Sequence, residues 1–124
     1  MDIYKLRKHK YAQCGMFEDT FFAGKHGWLM EWGFVSYSTK VIMVRGSRVI
    51  FTGYYSCTTS RQLSWWLKEY GSRLKGLDKK TLDIMDRKHL AYDYKTGELT
   101  PLTDYEWREC KGIRRAAFNY GYGG

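Results

Sequence analysis

The sequence has few of the residues that organise secreted or metal-binding proteins of this size. Its three cysteines, Cys14, Cys57 and Cys110, are widely separated and odd in number, and no CxxC pair begins a zinc site. This pattern predicts reduced thiols in a cytoplasmic protein. The basic residues at the N-terminus are followed by no apolar segment, so the sequence predicts no secretory signal.

Long apolar runs and enzyme signatures are also missing. The longest aliphatic run, Val41 to Val44, covers a small fraction of a bilayer, which predicts no membrane span. No HExxH, GxxxxGK[ST], GxGxxG or GxSxG motif occurs. His9, His26 and His89 are far apart and do not have the spacing of metal ligands. We therefore predict a non-enzymatic protein that needs no metal or cofactor.

Positive charge and aromatic residues are abundant. Of 124 residues, 21 are Lys or Arg and 13 are Asp or Glu, which gives a net charge of +8, and 18% are aromatic. The length allows one domain with its own core, and the aromatic content excludes a disordered chain. We predict a single α+β domain over residues 1–112 with a basic N-terminal segment. A flexible, basic and aromatic Gly-rich tail is expected over residues 113–124.

Hydrophobic periodicity predicts the elements of this domain. Alternation over residues 28–35, the run Val41–Val44 and a tight turn at Gly46-Ser47 predict about three antiparallel strands within residues 28–55. The hydroxyl-rich residues 56–60 precede an amphipathic helix whose apolar stripe includes Leu63 and Trp66. A second helix is expected over residues 78–92.

A third helix is predicted by a capping box, in which Thr103 and Glu106 each bond the other's backbone amide. We expect this helix to end near Cys110. The architecture is therefore a small antiparallel sheet with two to three helices packed on one face. Most aromatic side chains outside the binding signals below are expected in the core, including Trp28, Trp32, Phe34 and Trp66.

The binding signals combine clustered cations with aromatic rings. Trp65 lies off the apolar stripe of the first helix, with Arg61 and Lys68 nearby, and an exposed ring can stack on an unpaired base. We predict that these three residues form a nucleic-acid-binding surface. The same pattern adds six supporting residues: Arg7, Lys8, Lys10, Tyr54, Arg114 and Arg115.

Two other interpretations stay open. An off-stripe tryptophan beside cations is also typical of a hot spot for a partner protein, because charge alone does not separate the two targets. A remote alternative is a magnesium-dependent nuclease that uses Asp104, Glu109 and Lys111. The acidic group Asp83, Asp86 and Asp93 is interpreted as a solvated helix face rather than a metal site.

Two segments resemble a known group of proteins. Residues 34–42, with an S-Y-x-T strand, and residues 53–63, with a Y-S-x-T-T-S-R helix start, are similar to a family of small uncharacterised proteins of phages and mobile elements. The resemblance spans residues 28–71. It implies an accessory protein in the host cytoplasm that binds nucleic acid or a host nuclease or nucleoprotein complex, as anti-CRISPR inhibitors do. It carries over no catalytic residue.

Overall fold

The computed structural model describes residues 2–3, 7–8, 13–54 and 57–119, and the side chains of residues 14–54 and 59–118. Within these ranges the chain forms eight strands and three α-helices. The strands are β1 (Asp2–Ile3), β2 (Arg7–Lys8), β3 (Gln13–Phe22), β4 (Trp28–Ser36), β5 (Thr39–Arg45), β6 (Arg48–Phe51), β7 (Leu90–Asp93) and β8 (Leu99–Pro101). The helices are α1 (Cys57–Tyr70), α2 (Lys79–Lys88) and α3 (Asp104–Asn119).

The strands form one antiparallel sheet. Strands β3 to β8 follow one another in chain order, and the two-residue strands β1 and β2 both pair with β3. The three strands expected within residues 28–55 are confirmed as β4, β5 and β6, and the two-residue turn at Gly46-Ser47 joins the last two. The sheet is nevertheless larger than expected. The ten-residue strand β3 lies before the predicted range and was missed, and β7 and β8 have four and three residues, too few to produce a readable period.

Helices cover both faces of the sheet, which corrects the expectation that they share one face. Phe34 and Ile42 point to the face covered by α1 and α2, here called the front face. Their neighbours Val35 and Met43 point to the opposite, back face, where Cys110 and Ile113 of α3 cover them. Adjacent residues of these central strands are all buried because each face has its own apolar layer.

Helix α1 packs as its periodicity predicts. Leu63 and Trp66 are fully buried on the front face, and Trp66 contacts the rings of Trp32 and Phe34 at centroid distances of 6.0 and 5.7 Å. A 3₁₀ turn over Gly71–Leu74 follows the helix. The large apolar face of α1 therefore stabilises the centre of the sheet.

Helix α2 is shorter than predicted. Its N-terminus is capped by Asp78, whose side chain accepts a hydrogen bond from the amide of Thr81. The helix ends at Lys88 because His89 adopts a left-handed conformation with φ of 54°. Residues 90–92, expected to be helical, instead belong to strand β7, which lies between β6 and β8.

Helix α3 is longer than predicted. The capping box is confirmed, since the amide of Glu106 donates to Thr103 and the amide of Thr103 donates to Glu106. The helix continues past Cys110 to Asn119, with Ile113 and Ala117 packed against the core. Residues 113–119 of the expected flexible tail are therefore helical, and residues 120–124 lie outside the described residues.

Two of the cysteines are free thiols in the interior. Cys14 and Cys110 are both buried, and the side chain of Cys57 lies outside the described ones. Burial, together with the nearby charge of Glu109, raises the pKa of the Cys110 thiol to about 11. Cys110 is therefore a protonated, unreactive core residue at neutral pH.

Replacement by alanine is expected to have opposite effects on stability at two glycines. A Cβ at Gly33 would lie 1.9 Å from the carbonyl oxygen of Ile42 and 3.1 Å from the ring of Phe17, whereas Gly112 of α3 has open space around it. We expect Gly33→Ala to lower the free energy of unfolding by at least about 1–3 kcal/mol through overpacking. Gly112→Ala should raise it by about 0.5–1 kcal/mol, since alanine favours the helix.

Urea unfolding of both variants beside the parent chain measures these effects. A Gly33→Ala variant as stable as the parent would contradict the close approach of β4 to β5.

Candidate nucleic-acid interface

A network of charged side chains joins the back face of the sheet to α3. Glu31 of β4 is fully buried and receives hydrogen bonds from Lys40 and, at 2.8 Å, from Nε of Arg45. The guanidinium of Arg45 also donates two bonds to Glu109 of α3, at 2.8 and 2.7 Å. Lys40 lies 3.0 Å from a carboxylate oxygen of Asp19. Three carboxylates are thus held by two cations beneath one helix.

A second two-bond ion pair fixes the start of α3. Arg48 of β6 donates to both carboxylate oxygens of Glu106, at 2.7 and 2.8 Å. The same guanidinium donates to Thr100 and to the carbonyl of Pro101. Glu106 is also the capping-box residue, so one carboxylate orients the first turn of α3 and anchors it to the sheet.

Arg114 holds the C-terminal half of α3. Its Nη2 lies 2.6 Å from a carboxylate oxygen of Asp86 in α2, and its Nε donates to the carbonyl of Thr52. The guanidinium lies so close to Gly53 that a Cβ there would come within 2.3 Å of it. Arg114 therefore forms a partly exposed ion pair between two helices, and its contact with nucleic acid stays a prediction.

These contacts leave an excess of cations on the surface. Among the described side chains, twelve Lys and Arg residues are exposed, against five Asp and Glu residues. Of those five, Asp78 caps α2 and Asp83 accepts a hydrogen bond from Tyr54. The exposed cations are Lys25, Arg61, Lys68, Arg73, Lys75, Lys80, Arg87, Lys88, Lys95, Arg108, Lys111 and Arg115.

Three of these cations form one row on α3. Arg108, Lys111 and Arg115 are spaced by three and four residues and are all exposed, so they lie on the solvent side of the helix; we call them the α3 stripe. The row spans about 10 Å along the helix axis. The ammonium of Lys111 lies 5.4 Å from the ring centroid of Trp107, which stacks on His89 at 4.1 Å. The α3 stripe therefore presents cations on a helix that is fixed at both ends.

Of this row, only Arg115 was predicted to contact nucleic acid, whereas Lys111 was named for the nuclease alternative. The i, i+3, i+7 spacing of these cations is visible in the sequence. It was missed because the third helix was predicted to end near Cys110. Helix α3 continues because Ile113 and Ala117 supply two further inward contacts.

The predicted surface on α1 is present in part. Arg61 and Lys68 are exposed and seven residues apart, on the solvent side of the helix. Trp65 is half-buried and packs against the front core, so its ring also contributes to packing. A change at Trp65 would therefore affect stability as well as binding, and Arg61 and Lys68 are the cleaner test of this surface.

The other residues that were predicted to bind nucleic acid either are held by contacts within the protein or have side chains outside the described ones. The hydroxyl of Tyr54 donates to Asp83, and its ring packs edge-on against Phe51 at 4.9 Å, which holds the residue in place. Burial and the neighbouring carboxylate of Asp83 raise the pKa of this hydroxyl well above its ordinary value. Arg7 and Lys8 are described only as backbone of β2, and Lys10 lies outside the described residues.

The hairpin of β3 and β4 extends beyond the rest of the sheet. Pairing between β4 and β5 begins at Trp32, whereas pairing between β3 and β4 continues to Phe22 and Trp28. We call residues 20–30 the arm. Three of its apolar side chains are largely exposed, namely Trp28 at 69%, Met30 at 62% and Phe22 at 53%. Trp28 was expected in the core, and it is exposed because neither helices nor β5 reach this part of β4.

The nuclease alternative would use the carboxylate of Glu109, which is already in an ion pair. Glu109 binds Arg45 through both carboxylate oxygens, and Lys111 lies over Trp107. Asp104 lies in the first turn of α3. In the part of the chain that the structure describes, no group of three or more His, Cys, Asp or Glu side chains has an arrangement suited to a metal ion.

Comparison with known proteins places the chain in a family. Residues 2–83 match the model of DUF8033, a family of unknown function, and the chain belongs to this family. The matched segment contains the arm and α1 and ends within α2, so α3 lies beyond it. No curated protein and no solved structure matches the chain. Among the described residues, no helix has the length and apolar character required to span a membrane.

The buried carboxylate of Glu31 predicts a large stability effect. Replacing it with Gln leaves Lys40 and Arg45 without the charge that both now share. Because Lys40 and Arg45 keep Asp19 and Glu109 as partners, we expect Glu31→Gln to lower the free energy of unfolding by about 1–3 kcal/mol. Glu98→Gln, at an exposed turn position, is the control and should change it by less than about 0.5 kcal/mol. Equal stabilities of the two variants in guanidinium unfolding would refute the role of the network.

The Arg48–Glu106 pair predicts a dependence of stability on pH. Burial raises the pKa of Glu106, but hydrogen bonds from Arg48 and from the amide of Thr103 lower it more, so the folded value lies below the ordinary 4.5. As the pH falls, the unfolded chain therefore takes up this proton first. The stabilisation is complete above the ordinary value and is lost as the pH falls through the folded one.

Guanidinium unfolding at several pH values between about 7 and 3 measures this loss. Glu106→Gln should be less stable than the parent at pH 7 and should lose less stability on acidification. A parallel decline in both proteins would assign the acid sensitivity to other carboxylates.

Proposed function

We propose that this chain is a non-enzymatic binding protein that acts on nucleic acid. One observation carries the proposal: among the side chains that the structure describes, twelve cations are exposed to solvent against five carboxylates. The ion pairs of Asp19, Glu31, Asp86, Glu106 and Glu109 also occupy four cations, so this excess comes mainly from the basic composition of the chain. A surface of this kind attracts polyanions, and each phosphate that is neutralised releases counterions.

The α3 stripe is the proposed contact surface. Its three cations are held on a helix whose first turn is anchored by Arg48 and whose C-terminal half is anchored by Arg114. Rigid placement reduces the conformational entropy that binding must remove. Arg61 and Lys68 lie on the solvent side of α1, which packs on the front face of the sheet. They provide a second, weaker contact surface on the opposite side from α3.

The resemblance over residues 28–71 supports a proposal about the biological setting. We propose an accessory protein of a phage or mobile element that acts in the cytoplasm of its host. Its target is nucleic acid, either free or within a host nucleic-acid-handling complex.

A second candidate is an inhibitor of the anti-CRISPR type that binds a host nuclease protein directly. The exposed apolar side chains of the arm favour it, because such patches are common in protein interfaces. The two candidates differ in their response to salt. Phosphate contacts weaken steeply as salt rises, whereas an interface of apolar hot spots responds less.

Fluorescence anisotropy of labelled single-stranded DNA, double-stranded DNA and RNA, between about 50 and 200 mM salt, tests the proposal. The parent chain should bind at least one of the three. The variant Arg108→Gln/Lys111→Gln/Arg115→Gln should reduce the slope of log affinity against log salt by about 2–3. Arg61→Gln/Lys68→Gln should reduce it less.

The matched control removes three exposed cations away from the α3 stripe: Lys75→Gln/Lys80→Gln/Lys95→Gln. An equal loss in this control would show that charge acts diffusely and that the α3 stripe is not the contact surface. If the parent chain binds none of the three nucleic acids, the proposed function is wrong, and the direct protein inhibitor becomes the preferred interpretation.

A further inference from the structure

The arm is an apolar surface that covers none of the protein's own core. Residues 28–30 of β4 are paired with β3 on one side, and no described strand pairs on their other side. Phe22 and Trp28 lie side by side on the front of the arm, with ring centroids 5.4 Å apart and planes inclined at 57°. Met30 follows on the same side of the strand. Exposing these side chains to water without a partner is costly.

The arm is fixed at its base. The guanidinium of Arg45 lies 4.1 Å from the ring centroid of Phe21, on the back of the hairpin. Arg45 is itself held by Glu31 and Glu109. At the other end, the amide of Ala23 donates to the carbonyl of Gly27 and closes the loop. Trp28 therefore projects from a hairpin that is held at its base and closed at its tip by its own hydrogen bond.

The charges around the arm favour an anionic partner. Residues 20–30 contain no Asp or Glu, and Lys25 and His26 are exposed at the tip. The nearest carboxylates along the chain, Asp19 and Glu31, are both paired with Lys40. A second copy of the chain would bring its own exposed cations towards this basic tip. A strand of nucleic acid offers phosphates to the tip and flat bases to the rings.

We propose that the arm binds single-stranded nucleic acid by stacking an unpaired base on Trp28. Phe22 supports the indole from the side, and Lys25 contacts a neighbouring phosphate. Stacking on an aromatic ring uses the face that every base has, so the contact has little base preference. This inference rests on the proposed function. It assigns to the arm the contribution of base stacking to the affinity, which phosphate contacts do not supply.

Substitutions at Trp28 separate stacking from general apolar contact. Affinity for a labelled 20-nucleotide single strand is measured by anisotropy. Trp28→Phe keeps an aromatic face and should bind within about threefold of the parent. Trp28→Leu and Trp28→Ala should weaken binding by about ten- to one hundredfold. Each variant should melt within a few degrees of the parent, because Trp28 is largely exposed.

Tyr37→Asn is the matched control. Tyr37 is an exposed aromatic residue at the opposite end of β4, and asparagine tolerates its φ of 56°. It should bind as the parent does.

An abasic strand completes the test, because it keeps the phosphates and lacks the bases. The parent should lose about as much affinity on this strand as Trp28→Ala loses on the normal one. Trp28→Ala should lose little more on the abasic strand, since the two changes remove the same contact.

The outcomes separate this inference from the proposed function. Salt-dependent binding that is unchanged in Trp28→Leu and Trp28→Ala would leave the proposed function standing and overturn the role of the arm. Trp28→Leu binding as tightly as Trp28→Phe would overturn stacking, as would an equal loss on double-stranded DNA. A parent chain that is dimeric in gel filtration and becomes monomeric in Trp28→Ala would assign the arm to a second copy.

Discussion

The buried carboxylate of Glu31 is the constraint around which the back of the molecule is arranged. A carboxylate without solvent must be paired, and here Lys40 and Arg45 approach it from the neighbouring strand β5. Arg45 then requires a second anion, which Glu109 supplies from α3. One buried charge thus sets the position of the helix and the base of the arm. The same network takes three carboxylates and two cations off the exposed surface, so the exposed positive charge comes mainly from the composition.

Much of the fold could be predicted from local patterns. The stripe of α1, the capping box of α3 and the tight turn at Gly46-Ser47 are each encoded within a few neighbouring residues. The predictions were wrong where contacts between residues far apart in the sequence determine the structure. Residues 90–92 continue a helical pattern, but pairing with β6 and β8 makes them a strand. Trp28 has the alternation of a core strand, but nothing in the sequence shows that β5 ends before it.

The candidate site was harder to predict than the fold, because exposure depends on partners far away in the chain. Arg114 and Arg115 are adjacent and look equivalent as sequence. Asp86, 28 residues away, pairs with Arg114 alone and leaves Arg115 exposed. Trp65 was selected for lying off the apolar stripe, yet α1 lies deep enough against the sheet that this ring packs too. Spacing along a helix assigns a direction to each side chain, and tertiary packing decides how much of it is covered.

The position of α3 has a consequence for the family to which the chain belongs. The family match ends at residue 83, and the helix that covers Phe17, Val35, Met43 and Ile50 begins 21 residues later. A polypeptide ending at residue 83 would present that apolar layer to water and would deprive Arg45 of Glu109. The matched segment is therefore not a self-sufficient folding unit. A relative that shares only this segment needs another structural element to pack on the back face of its sheet. A different element would give the protein a different outer surface.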